Sequence, residues 1–313
     1  MNNHPPFTIL TESWYRYDRL KRWLLRLWWK ILWRKIYGPM SVYYSLVRWL
    51  EELKKEWNNI VYNVNPSQKD IHDIVVVLIG KDTLRYVLDL KQQWIIKKLL
   101  AWPAISVPID NHDTFFDPNI DHILIPSNRV RDYFVSLWVN VERILLWPAG
   151  VADTGISKKL KNTILIYKKT CPDSLYQKVI DFLELHWYNY ITLHYGKFQF
   201  SEYQQLLDES VAMIYLQESE SQWIALQEAW IKDIPTLVWD RWYRIYKHIK
   251  RESKQISCPL MVDECGMLFT ETDFRKQFTV FISKLSEYSP RRYCTDNLSD
   301  RISAKKLLSY ISL

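Results

Sequence analysis

The sequence predicts an α/β protein built from two Rossmann-like, doubly wound units. Strand and helix patterns alternate in both halves of the chain, and residues 74–79 (IVVVLI) form a continuous apolar run typical of a parallel strand covered on both faces. The chain has 313 residues, enough for two domains of ordinary size. Its 48% hydrophobic and 25% charged residues are typical of a globular protein and exclude a disordered one.

The elements follow one another in a regular order. In the first half, the pattern predicts strands at 7–11, 60–64, 74–79, 104–109, 122–126 and 144–146, and helices at 41–56, 81–90 and 128–137. In the second half, it predicts strands at 163–167, 190–194, 211–216, 236–239 and 260–262, and helices at 174–186, 201–209, 271–286 and 303–311. We therefore expect an N-terminal domain at 1–157, a C-terminal domain at 158–287 and a tail at 288–313.

Two glutamates stand out in the second half of the chain. Glu220 and Glu228 follow a predicted strand and lie eight residues apart, so a helix brings both carboxylates to nearly the same face. Ligands of open α/β sheets bind where a strand ends and the next helix begins. Ser219, Ser221 and Gln222 add hydrogen-bonding groups beside backbone N–H groups that can hold phosphate. The alternative is a pair of solvated glutamates on an ordinary amphipathic helix.

The segment SESQWIALQEAWIKDIPTLVWD resembles the retaining glycosyltransferases of the two-Rossmann-domain (GT-B) type, group 1 or family 4-like, whose donor site carries Glu, seven residues, Glu. A weaker resemblance, YGPMSVYYSLVRWLEELKK, is similar to that family's first loop and helix and places Gly38 on the acceptor side. The similarity extends over about 37–285, but only 211–240 is specific. It implies two Rossmann-like domains facing a cleft.

The resemblance implies transfer of a sugar from a nucleotide diphosphate-sugar to a glycan or lipid-linked acceptor, with retention of configuration. Glu228 would hold the ribose hydroxyls, and Glu220 the donor sugar or its phosphates. Lys168 or Lys169, at the end of the first strand of the second domain, would stabilise the leaving diphosphate, since a fixed cation aimed at developing charge is a large catalytic term. A solvated lysine pair is the alternative. We expect no cofactor and no metal.

Other polar positions are weaker candidates. Gly196, after the strand at 190–194, could bring backbone against the nucleotide base. Asp110 and His112, with Asp113, form a dense polar group that by position could face the acceptor or the donor sugar. Clustered His and Asp can also bind a metal, although no partner spacing supports one. A polar surface loop is the alternative.

A basic amphipathic helix is predicted at 14–37. Between Arg16 and Lys35, lysines and arginines alternate with tryptophan, leucine and isoleucine, and Asp18 is the single acid. Such a helix can lie in the headgroup plane of an anionic membrane, cover the edge of its own domain or bind nucleic acid. We favour peripheral membrane contact over a structural role, expect no nucleic-acid partner, and treat a membrane-associated scaffold as an alternative function.

The cysteine pattern indicates a reducing compartment. The four cysteines show no close paired spacing, and no signal peptide is recognisable before the first strand. Free thiols fit a cytoplasmic setting, with membrane association as an option. Because no run of about 18 apolar residues occurs, we do not expect a membrane span.

Glycine and tryptophan occur in unusual numbers. The chain has 6 glycines and 16 tryptophans, whereas glycine normally makes up about 7% of a protein. Trp57, Trp138 and Trp187 each follow a helical run and precede a strand, where a left-handed residue, usually glycine, ends the helix. Trp223 stands where the resembled family carries glycine beside the diphosphate.

We therefore hypothesise that many of these tryptophans are glycines in the source organism, through a reassigned stop codon translated as tryptophan. Further candidates are Trp23, Trp33, Trp49, Trp94, Trp102, Trp147, Trp230 and Trp242, whereas Trp14, Trp28, Trp29 and Trp239 fit tryptophan. The alternative is a genuinely tryptophan-rich chain with a membrane-interface role. In that case Trp223 would favour a catalytically inactive carbohydrate- or nucleotide-binding relative.

Overall fold

A computed structural model describes residues 4–11, 38–57, 60–102, 114, 116–156, 162–222, 224–246 and 249–313. The predicted strand at 104–109 and the predicted basic helix at 14–37 therefore lie outside the described residues. The chain forms two compact units, Met1–Gly150 with Asp300–Leu313, and Val151–Ser299. The division thus lies at Gly150 rather than after 157, and residues 288–299 of the expected tail belong to the second unit.

Each unit is organised around a parallel sheet. The strands are β1 (Phe7–Leu10), β2 (Tyr62–Val64), β3 (Ile74–Val77), β4 (Lys98–Ala101), β5 (His122–Ile125), β6 (Ile144–Leu146), β7 (Thr163–Thr170), β8 (Tyr190–His194), β9 (Ser210–Gln217), β10 (Thr236–Trp239), β11 (Tyr243–Tyr246), β12 (Ile249–Glu252) and β13 (Gly266–Phe269). The first sheet has the order β2-β1-β3-β4-β5-β6 and the second β13-β10-β9-β7-β8. Strands β11 and β12 form a separate antiparallel hairpin.

Helices alternate with these strands. They are α1 (Gly38–Glu56), α2 (Lys81–Gln92), α3 (Asn128–Val135), α4 (Asp173–Leu185), α5 (Phe200–Glu209), α6 (Ile224–Ile231), α7 (Phe274–Ser283), α8 (Pro290–Asn297) and α9 (Asp300–Ile311). Ser127 begins α3 as its N-cap, and its hydroxyl accepts the Val130 N–H at 3.4 Å. The predicted class, two α/β units with parallel sheets, is confirmed.

The second sheet separates two apolar cores. On β7 and β9, Leu165 and Met213 face one core with α5 and α6, while Ile164 and Ile214 face the other with α4 and α7. This follows from the strand period of two residues. Because both faces are covered, both strands are apolar along most of their length, as the sequence predicted.

The C-terminal helix α9 is part of the first unit. Its buried Asp300 accepts hydrogen bonds from the Ser45 hydroxyl and the Arg48 guanidinium of α1. On the sheet side, the indole N–H of Trp147 donates to the Ser303 carbonyl at 3.0 Å. Residues 300–313 of the expected tail therefore belong to the first unit.

One predicted strand is wrong, and several elements were not predicted. No strand forms at 260–262; the strand beside β10 is β13, which begins at Gly266. A Cβ on Gly266 would lie 1.9 Å from the Thr236 carbonyl oxygen, so only glycine permits this pairing. The sequence pattern also did not predict β4, the β11–β12 hairpin or α8, which are short.

Replacing Asp300 with alanine tests the attachment of α9. The substitution leaves the Ser45 hydroxyl and Arg48 without their acceptor, so we expect a loss of about 1–3 kcal/mol in the free energy of unfolding, measured by urea denaturation. Glu52→Ala, which removes an exposed ion pair with Lys55 on the same helix α1, is the matched control and should cost less than about 0.5 kcal/mol. Equal effects of the two variants would contradict the assignment.

Candidate functional site

The carboxyl edge of the second sheet brings together a cation and a carboxylate. Lys169 lies at the end of β7, and Glu220 lies in the loop after the neighbouring strand β9. The Lys169 ammonium donates to the Glu220 carboxylate, with 22% of the lysine side chain and 13% of the glutamate side chain exposed. Salt screens such a partly buried pair less than a surface pair. Both side chains are therefore held in place at the sheet edge.

Several further contacts fix Glu220. The Tyr215 hydroxyl donates to its carboxylate at 3.2 Å, and its backbone N–H donates to the Ile256 carbonyl at 3.1 Å. The Lys169 ammonium also lies 4.6 Å from the centre of the Tyr195 ring, within cation–π range. Glu220 is thus held by its side chain and its backbone, and Lys169 by two partners.

Tyrosines form the buried layer below this pair. The rings of Tyr167 and Tyr215 stack with centroids 5.2 Å apart, and Tyr203 packs edge-on against Tyr167 at 5.5 Å. The Tyr203 hydroxyl donates to the Ala225 carbonyl at 2.6 Å, which connects α5 to the first turn of α6. These contacts position the helix that carries Glu228.

Glu228 lies on α6, half-buried, and its charge reaches the same tyrosines. Burial raises the pKa of Tyr167, and electrostatic interactions with Tyr195, Glu220 and Glu228 raise it further. Burial also raises the pKa of Tyr203 well above its usual value, with Glu228 as the next cause. Both glutamates therefore act on the Tyr167 hydroxyl. Because α6 begins at Ile224, Glu220 lies in the loop before it, and the prediction that one helix carries both carboxylates is wrong.

The two candidate lysines have different surroundings. Lys168 donates to Asp173 at 2.7 Å and lies 4.1 Å from the centre of the Tyr176 ring. The hydrogen bond to Asp173 raises the pKa of Lys168. Because successive residues of a strand point to opposite faces, Lys168 is directed toward α4, and Lys169 toward Glu220. The structure thus associates Lys169, and not Lys168, with the glutamate pair.

The loop between β9 and α6 has its own internal contacts. The Ser219 carbonyl accepts from the Gln217 side chain at 2.8 Å, Ser221 is exposed, and Gln222 is half-buried. Gly196 has a φ of 79° in the turn after β8. A Cβ there would meet nothing within 4 Å, so backbone conformation, and not space, favours glycine.

The candidates of the first unit are not brought together by the described structure. Gly38 begins α1 in the first unit. Asp110 and His112 lie outside the described residues. Their predicted role on the acceptor side therefore remains a prediction.

Asp240 is a buried carboxylate that the sequence analysis missed. It follows β10 directly, and it accepts the Trp242 N–H at 3.1 Å where the chain leaves for the β11–β12 hairpin. The returning chain passes through Ile256, whose carbonyl holds the Glu220 backbone, and Ser257, whose hydroxyl donates to the Gln217 carbonyl at 2.6 Å. Its position at a strand end, the rule that identified Glu220, would have pointed to Asp240.

Two opposing effects act on the Asp240 carboxyl. Burial raises its pKa, and backbone N–H groups of Trp242, Gln255, Ser257 and Ile256 lower it, with burial the larger effect. The residues just before and just after the β11–β12 hairpin therefore donate hydrogen bonds to the same carboxylate. That carboxylate indirectly supports the loop that carries Glu220.

Among the described residues, no group of three or more His, Cys, Asp or Glu is arranged to hold a metal ion. The same part of the chain contains no helix with the length and apolar character needed to cross a membrane.

By sequence, the chain matches no protein-family profile and no curated protein. Its fold resembles that of the lipopolysaccharide outer core galactosyltransferase WaaB in the apo form, with a TM-score of 0.60 and 12% identity over 98% of this chain and 100% of that one. Anabaena HepE in complex with UDP and glucose also has a TM-score of 0.60, with 8% identity over 99% of this chain and 100% of that one.

Sucrose-phosphate synthase from Thermosynechococcus elongatus is a third similar structure, with a TM-score of 0.53 and 9% identity over 98% of both chains. At such identities the likeness concerns the fold. The protein has the GT-B fold, two Rossmann-like domains with parallel sheets and interleaved helices.

The raised pKa of Asp240 predicts a pH dependence of stability. In the unfolded chain this carboxyl loses its proton near pH 3.9, whereas the folded protein retains it to higher pH. Stability that depends on Asp240 therefore decreases as pH rises from about 4 toward neutral. We expect the free energy of unfolding of the wild type to fall relative to that of Asp240→Asn over this range, measured by urea denaturation at several pH values. A difference that changes in the opposite direction would contradict the prediction.

Proposed function

We propose that the protein is a glycosyltransferase that moves a sugar from a nucleotide diphosphate-sugar to an acceptor. The observation that carries the proposal is the ion pair of Lys169 and Glu220 at the carboxyl edge of the second sheet, with Glu228 on the helix that follows. Ligands of open α/β folds bind at this edge. The similar structures support it, since one is named a galactosyltransferase and another contains UDP and glucose.

In this proposal, Lys169 neutralises the diphosphate that leaves with the nucleotide. Its ammonium is already fixed by Glu220 and by the Tyr195 ring, so little reorganisation is needed when phosphate charge develops. Glu220 then accepts hydrogen bonds from hydroxyls of the donor sugar. The sequence left Lys168 equally eligible, but its contact with Asp173 argues against it.

Glu228 holds the ribose hydroxyls of the nucleotide. It lies on α6, and the Tyr203 hydroxyl holds the first turn of that helix at the Ala225 carbonyl. A carboxylate can accept hydrogen bonds from both hydroxyls of a ribose. Ser221 and Gln222, with the backbone of the loop before α6, contribute hydrogen bonds to the phosphates.

The stereochemistry and the acceptor are further parts of the proposal. Retention of configuration is supported by the resemblance around the Glu pair, and NMR of the anomeric proton in the product would test it. The acceptor is a glycan or a lipid-linked sugar. Metal-independent transfer is proposed because the donor contacts are supplied by Lys169 and hydrogen-bonding groups, and activity that EDTA abolishes would contradict it.

We also propose a cytoplasmic protein that contacts anionic membrane through the basic segment 14–37. The composition of that segment, with lysine and arginine between apolar residues, supports this contact. Co-sedimentation with anionic vesicles, compared with neutral ones, would test it.

Replacing Glu228 with glutamine should weaken donor binding. Loss of a charged acceptor for two hydroxyls is expected to raise KM for the nucleotide sugar about tenfold to hundredfold, measured by release of nucleoside diphosphate with a panel of donors. Glu202→Gln, an exposed glutamate on α5, is the control and should retain the wild-type KM. A Glu228 variant with unchanged kinetics would refute the assigned role, and binding without turnover in the wild type would favour an inactive relative.

The contrasting surroundings of the two lysines predict a difference between their variants. Lys169→Met should lower kcat about hundredfold, because it removes the cation that stabilises the leaving diphosphate. Lys168→Met removes the contact with Asp173 and should have the smaller effect on kcat. A larger loss with Lys168→Met would mean that the catalytic cation was assigned to the wrong face of β7.

A further inference from the structure

Three tryptophans share a conformation at the ends of helices. Trp94, Trp138 and Trp187 have φ values of 60°, 69° and 59°, in the left-handed region, where α2, α3 and α4 end. At each position the tryptophan N–H donates to the carbonyl three residues earlier, and the next N–H donates to the carbonyl five residues earlier. At α3, for example, these distances are 2.9 and 3.2 Å. This is the Schellman motif, whose left-handed residue is usually glycine.

The same motif at a fourth helix end shows what the conformation requires. After α6, Asp233 has a φ of 62°. Its N–H donates to the Trp230 carbonyl at 2.9 Å, and the N–H of the next residue, Ile234, donates to the Ala229 carbonyl at 3.0 Å. Aspartate is one of the few residues other than glycine that tolerates this conformation. The helices within the described residues thus show four examples of this ending, and tryptophan occupies the left-handed position in three of them.

The indole rings at these positions gain little from packing. Trp94, Trp138 and Trp187 are 90%, 94% and 92% exposed. The left-handed conformation brings Cβ too close to the following carbonyl, at a cost that glycine avoids. The helix ending requires the left-handed conformation, and the exposed indole makes too few contacts to offset the energetic cost of that conformation.

A fourth left-handed tryptophan occurs next to the proposed donor site. Trp242 has a φ of 64° and 40% exposure, and its N–H donates to Asp240. Its carbonyl accepts the Ser253 N–H at 3.0 Å, so the backbone holds the base of the hairpin. Again, the main chain makes the specific contacts.

Three other tryptophans pack in the interior of the protein, as large apolar side chains usually do. Trp147, Trp230 and Trp239 are fully buried, and none has a positive φ. The indole N–H of Trp147 donates to Ser303, and that of Trp230 to the Thr236 hydroxyl at 3.0 Å. The earlier hypothesis that Trp147 and Trp230 are glycines does not fit this packing. Trp57 is also not among the described residues with a positive φ, contrary to the expected left-handed helix end.

We propose that the residues at 94, 138, 187 and 242 are glycines in the protein as its own organism makes it. The codons at these positions would be a stop codon of the standard code that is reassigned to glycine and has been translated as tryptophan. Composition supports this independently, since glycine and tryptophan together make up about the 7% that glycine alone takes in an ordinary protein. The sequence resemblance adds position 223, which lies outside the described residues.

The gene and the native protein give the direct test. We expect the same reassigned stop codon at 94, 138, 187 and 242, and the standard tryptophan codon at 147, 230 and 239. Peptides from the native protein should have masses that fit glycine at the first four positions and tryptophan at the other three. Standard tryptophan codons at all seven positions, or peptides with tryptophan at the first four, would overturn the proposal. Neither result depends on the proposed enzymatic activity.

Variants of the tryptophan-containing chain test the physical argument. Trp94→Gly, Trp138→Gly and Trp187→Gly should each lower the unfolding equilibrium constant about threefold to tenfold, because the left-handed strain is relieved. Trp230→Gly, the buried control, should raise that constant about hundredfold or more. Destabilisation by the first three substitutions would overturn the inference. So would binding to anionic vesicles that these three substitutions abolish, because it would give the exposed indoles a function.

Discussion

The contact between Lys169 and Glu220 is the constraint on which the candidate site depends. It exists because β7 and β9 are parallel neighbours whose carboxyl ends meet at one edge, and because the strand period directs Lys169 toward α6. The Tyr215 hydroxyl donates to the Glu220 carboxylate, and the Ile256 carbonyl accepts the Glu220 backbone N–H. Sheet topology therefore determines which charges can meet a ligand.

Much of this arrangement could be predicted from the sequence. Apolar runs and their alternation with helical patterns predicted two parallel sheets, although they missed β4. The rule that ligands bind at strand ends placed Glu220 at the sheet edge, whereas the helical spacing wrongly put it on the same helix as Glu228. The sequence could not decide between Lys168 and Lys169, because that choice depends on which face of β7 meets α6. It also missed the hairpin, whose strands of four residues are short, and the backbone N–H groups that gather around Asp240, because these depend on how the chain returns after the hairpin.

Local backbone requirements can be as informative as side-chain chemistry. Glycine at 266 permits β13 to approach the Thr236 carbonyl, and aspartate at 233 tolerates a left-handed helix end. Tryptophan at 94, 138 and 187 is poorly suited to the left-handed conformation, although both hydrogen bonds of the helix ending form at each position. Such a conflict between the local sequence and an otherwise consistent fold points to the residue identity and not to the fold.

The two places where the chain passes between the units are adjacent within each unit. In the first, a Cβ on Gly150 would lie 2.3 Å from the Asp300 Cα; in the second, Val151 and Ser299 form a parallel bridge. The second unit is therefore inserted into the first, and its two ends lie next to each other. The first unit is made of two chain segments, and a very short peptide could join residue 150 to residue 300. Separate production of each unit is thus topologically simple, and evolution could exchange the second unit without rethreading the first.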